Sequence, residues 1–96
     1  MMKVLVIAPN EHREVTDIFT SEIKGLQDLV GGYVQEVQIL DGGVMLVDED
    51  GQMKRLPINR VASRIAGTLI VGTAVVVGSD GSDYTDAPQD YLNLAG

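Results

Sequence analysis

The chain has 96 residues, 45% of them hydrophobic, no cysteine and a formal net charge of −7. That length is enough for one domain, and the absence of cysteine excludes disulfides, thiolate nucleophiles and cysteine-based zinc or iron–sulfur sites. The acidity counts against general nucleic-acid binding, which depends on neutralising phosphates, and no apolar run approaches the ~20 residues of a membrane-spanning helix.

Lys3–Ala8 is a short β-branched apolar run stopped by Pro9 and Asn10, and it reads as a buried strand. This apolar start is too short for an export signal, which with the lack of disulfides predicts a cytoplasmic protein. Asn10–Asp17 is polar and reads as a loop or an extended arm with Val15 and Ile18 turned inward. Thr20, Ser21 and Glu22 supply a hydroxyl cap and a first-turn acid for a main helix over about 20–31. Ile23, Leu26, Leu29 and Val30 form its apolar face, and the pair Gly31-Gly32 ends it.

Tyr33–Leu40 predicts a strand, Asp41-Gly42-Gly43 a turn, and Val44–Val47 the returning strand. The pair Asp50-Gly51 predicts a tight hairpin with Gln52–Leu56 as its second arm, closed by Pro57. Asn59 is placed to cap a short helix over about 59–66 that Gly67 ends, with Val61 and Ile65 inward. Leu69–Val71 and Ala74–Val77 read as one strand interrupted at Gly72, or as two arms around it. An acidic tail over about 79–96 begins as a loop and ends in one helical turn near Pro88–Leu94, with Tyr91, Leu92 and Leu94 docking. The sum is a single α+β domain over residues 1–96. It consists of a mainly antiparallel sheet of hairpins, packed with one main helix and one short one.

The segments LQDLVGGYVQEV and LPINRVAS, with the run IVGTAVVVG, resemble domain-of-unknown-function family 3846 over roughly Leu26–Gly78. Gly31, Gly32 and Tyr33 resemble that family's helix-to-strand corner, and Asn59, Arg60 and Ala62 its polar short helix. The resemblance implies a phage or mobile-element setting, and hence an accessory or host-directed role. It implies no activity.

Nothing in the motifs supports catalysis or a cofactor. His12 is the only histidine, so zinc would need carboxylates alone. No serine sits in a nucleophile-elbow pattern, no glycine loop has phosphate-loop spacing, and neither acidic cluster has the calcium-loop pattern. The charge distribution is more informative. Residues 54–79 hold four bases (Lys54, Arg55, Arg60, Arg64) and no acid, inside an acidic chain. The island either pairs with acidic neighbours or binds an anion. Arg60 and Arg64 share a helix face at i and i+4, an arginine fork matches a phosphate, and Tyr33 offers a ring for a base. The predicted ligand set is therefore Asn59, Arg60, Arg64, Tyr33, Lys54 and Arg55. The expected function is non-enzymatic binding of a small anion by a homo-oligomer. A nucleotide immune signal, sequestered against a host defence, is its specific form. The alternative is an acidic module that docks on a host protein and inhibits it.

Overall fold

The structure is a computed structural model in which residues 1–19 and 23–95 are described. The strands are β1 (Met2–Ile7), β2 (Arg13–Ile18), β3 (Val34–Gln38), β4 (Gly43–Asp48), β5 (Ala74–Ser79) and β6 (Tyr84–Thr85). The helices are α1 (Ile23–Val30), α2 (Arg60–Ala66) and α3 (Gln89–Leu92). The fold is α+β: one antiparallel sheet in the order β2-β1-β5-β4-β3, with β6 continuing the edge of β5 beyond β1.

Both sheet faces are covered, which explains the run of valines in β5 and the uninterrupted burial of β4. Val4, Val44, Leu46, Val75 and Val77 point to one face, where Leu26 and Val30 of α1 close the core. Leu5, Ile7, Met45 and Val76 point to the other, under Ala62 of α2 and Tyr91 of α3. Leu26 is fully buried, so truncating it to alanine costs about 2–5 kcal/mol.

The two predicted helices are present, each closed by its glycine. Gly31 (φ +85) and Gly67 (φ +71) adopt the left-handed conformation that closes a last turn. The predicted cap of α1 at Thr20-Ser21-Glu22 lies outside the described residues.

Of the two readings of the polar stretch after Pro9, the extended arm is the one found: residues 13–18 pair with the whole of β1, and Ile18 packs against the core. Three local expectations are corrected. Val15 shares the face of its buried cross-strand neighbour Leu5 but stays 40% exposed, because β2 is the sheet edge. Gln52–Leu56 is not a hairpin arm. β4 already has β3 on one side and β5 on the other, so no edge is left for it. Instead the segment coils through turns, with the Lys54 amide on the Asp50 carbonyl and the Leu56 amide on the Gly51 carbonyl. In the tail, Tyr91 and Leu92 dock as expected, but Leu94 stays exposed.

Candidate functional site

The glycine corner between α1 and β3 is built around an ion pair between a buried carboxylate and an exposed lysine. Asp48 ends β4 with its side chain 1% exposed, and Lys54 reaches back from the coiled turn to place Nζ 2.7 Å from Asp48 Oδ2. The Asp50 amide donates to Asp48 Oδ1 at 2.8 Å, and Lys54 Nζ also donates to the Gly31 carbonyl at 3.4 Å. Gly32 is required by this contact. A Cβ there would lie 2.9 Å from both Asp48 oxygens and from Lys54 Nζ. Gly31 serves the helix end and Gly32 the ion pair, so the two adjacent glycines answer two different demands.

Burial alone would raise the Asp48 carboxyl above its ordinary value. The Lys54 hydrogen bond, the Asp50 amide and the Lys54 charge outweigh it and hold the group below that value. The hydrogen bond to Asp48 correspondingly raises Lys54.

An open recess of about 590 Å³ lies over this corner, lined by Gln27, Asp28, Gly32, Tyr33, Asp50 and Lys54. That volume falls within the range of small-molecule sites. Tyr33 is 69% exposed, so its ring is available on the wall. Arg55 follows Lys54 on the turn, exposed and left-handed at φ 57.

The predicted site residues therefore separate into groups. Tyr33 and Lys54 share the recess. Arg60 lies in a second, smaller hollow of about 180 Å³ with Pro9, Asn10, Glu11 and Ile58. Arg64 is exposed in the last turn of α2. None of the chain's four arginines forms an ion pair among the described residues, so of the basic island only Lys54 is neutralised by an acidic neighbour.

Asn59 has a structural position. It is completely buried, its Nδ2 donates to the carbonyls of Ile7 (2.9 Å) and Gly72 (2.8 Å), and its Oδ1 accepts the Ala62 amide (3.0 Å). Both donors are used within the fold, which leaves no N–H for a ligand.

The sequence reading missed Asp48, Gln27 and Asp28. Asp48 opens the acidic run Asp48-Glu49-Asp50 before Gly51, a pattern that reads as a solvated turn. The available signal was its place at the end of an otherwise apolar strand. Asp28 lies on the side of α1 away from Leu26 and Val30 and Gln27 on the flank between, and nothing in the helical period marks either as a wall.

Among the described residues no three His, Asp or Glu side chains cluster as metal ligands, and no helix is long and apolar enough to cross a membrane. No curated protein and no solved structure matches the chain. A family profile described as "Domain of unknown function (DUF3846)" matches residues 2–95, nearly the whole length, and extends the similarity to β1 and the tail. The helix-to-strand glycine corner and the capped short helix thus sit within a matched stretch that takes in every strand and helix, and the chain belongs to the DUF3846 family.

Proposed function

We propose that this protein is a non-enzymatic binding module whose ligand occupies the recess over the glycine corner. The observation that carries the reading is that Tyr33 and Lys54 share its wall although they come from different elements. The charges there narrow the ligand class. Lys54 is already neutralised by Asp48, while Asp28 and Asp50 face the same space. A bare phosphate would be repelled. A planar base stacked on Tyr33 fits better, with its N–H groups on the carboxylates and its phosphate outside the recess, where Arg55 is the next residue along the turn. That describes a nucleotide. In a mobile-element setting, sequestration of a nucleotide signal used in host defence is the specific form of the reading.

The test is calorimetric titration of the purified protein with cyclic and linear nucleotides, with inorganic phosphate as control. Binding of a nucleotide but not of phosphate is expected. Tyr33→Ala is expected to weaken it by roughly fivefold or more, since stacking on an aromatic ring contributes about 1–3 kcal/mol per base. Arg55→Ala should also weaken it, whereas Arg60→Ala with Arg64→Ala leaves it unchanged. No heat from any nucleotide, or unchanged affinity in Tyr33→Ala, would reject the reading.

A protein partner is the second reading. Met53 (85% exposed) and Leu69 (54%) flank a groove of about 350 Å³ beside Val37 and Val71. Together with the net charge of −7, this suits a basic host protein. Capture of such a partner from host lysate at low salt and its release at high salt would favour this reading.

A further inference from the structure

We propose that β2 is a self-pairing edge, through which a second copy of this chain extends the sheet about a two-fold axis at Val15. The backbone decides which groups face outward. The Ala8 amide donates to the His12 carbonyl at 2.8 Å, and the β1–β2 register runs from Ile7 opposite Arg13 to Met2 opposite Ile18. Hydrogen-bonded pairs alternate in an antiparallel ladder. The pairs of Glu14, Thr16 and Ile18 with β1 are therefore the bonded ones. Arg13, Val15 and Asp17 point their amides and carbonyls away from β1. The other side of β1 agrees: the Lys3 amide and carbonyl bond Asp86 Oδ1 and the Ala87 amide, both away from β2.

A second β2 strand bonds these outward groups only if its own outward residues oppose them. Centring the axis on Val15 places Val15 against Val15 and Arg13 against Asp17 at both ends. Opposite charges and paired β-branched side chains then face each other directly, the favourable cross-strand combinations. Val15 is 40% exposed for a residue whose cross-strand neighbour, Leu5, is fully buried, so an apolar surface lies open beside the core. Arg13 has no ion-pair partner among the described residues. Asp17 uses Oδ1 for Lys3 at 2.9 Å and keeps its second oxygen for an incoming guanidinium. Shifting the axis to Asp17 sets that carboxylate against its own copy.

The opposite edge is unsuited to the same pairing. The Glu49 amide donates to the Tyr33 carbonyl, so Val34, Glu36 and Gln38 face outward on β3. Full overlap of two β3 strands places Glu36 against Glu36, which is repulsive. Charge therefore selects β2 as the edge and Val15 as the centre.

Sedimentation velocity over a concentration series tests the assignment. The wild-type chain is expected to form a concentration-dependent dimer. Val15→Pro removes an outward amide without touching the β1 ladder, where an edge proline is tolerated. It is expected to be monomeric with an unchanged circular dichroism spectrum. Arg13→Asp and Asp17→Arg are each expected to be monomeric alone and to form a heterodimer when mixed, since mixing restores opposite charges at both ends. A wild type monomeric at every concentration would overturn the proposal. So would a dimer indifferent to Val15→Pro, or charge variants that do not associate when mixed. If a charge variant misfolds through loss of the Lys3 contact, Val15→Pro still decides the matter.

Discussion

Asp48 shows how a single residue ties the site to the fold. Its carboxylate is buried, paired with Lys54 and roofed by Gly32, so the recess and the core share one ion pair. Because its pKa is held below the ordinary carboxyl value, the folded chain releases this proton more readily than the unfolded one. The resulting stabilisation is complete above about pH 4 and is lost as the pH falls through the depressed folded value. Asp48→Asn is expected to cost about 1.5–3 kcal/mol at neutral pH, typical of a hydrogen bond to a charged group. It should also flatten the acid limb of the stability curve. Urea unfolding from neutral to acid pH measures both, and a variant with the wild-type acid limb would show that Asp48 does not control it. Tyr84 is perturbed in the other direction. Burial, and then its hydrogen bond to Glu36, push its phenol up to about 12.

At the scale of the element, α2 depends on Asn59 more than a cap usually requires. The side chain caps the Ala62 amide and joins the end of β1 at Ile7 to the Gly72 turn before β5. Asn59→Ala is expected to cost about 1–3 kcal/mol, combining the lost cap with the buried Gly72 carbonyl left without a donor, while the Ile7 carbonyl keeps its place in the β1–β5 ladder. Asn59→Ser keeps an uncharged cap acceptor and loses both donors. Equal loss in the two variants, read by urea unfolding, would locate the stabilisation in the carbonyl bridge. A loss only in the alanine variant would locate it in the cap. The cap at Asn59 and the glycine closure at Gly67 were predictable because both are short-range backbone demands. The bridge was not, since it joins residues 52 positions apart. The tail follows the same rule. Its helical turn was foreseeable from its apolar residues. Its attachment, through the Ala87 amide to the Lys3 carbonyl and the Tyr91 hydroxyl to the Leu40 carbonyl, joins distant parts of the chain.

Across the whole molecule, protection is concentrated at the centre of the sheet. β5 lies between β1 and β4, and all three central strands carry fully buried residues, whereas β2 and β3 are edges with mostly exposed side chains. Native-state hydrogen exchange is expected to be slowest for amides of β5 and the inner ladder of β4, and fastest for the outward amides of β3. The outward amides of Arg13, Val15 and Asp17 report on β2 pairing: they are expected to slow as protein concentration rises. Uniform protection across all strands would contradict this ranking.

By itself the sequence determined the α+β class, the two helices with their glycine ends, the Asn59 cap and most strands. Each depends on contacts within a few residues, where period, capping and left-handed glycine are decisive. Only the tertiary structure decided that β5 inserts between β1 and β4. That insertion left Gln52–Leu56 no edge to pair with and turned it into the coil that presents Lys54. It also decided that Asn59 is spent on the fold, that Tyr33 meets Lys54, and that Arg60 sits in a separate hollow. These outcomes depend on which distant strands compete for the same edge, and no local pattern records that competition.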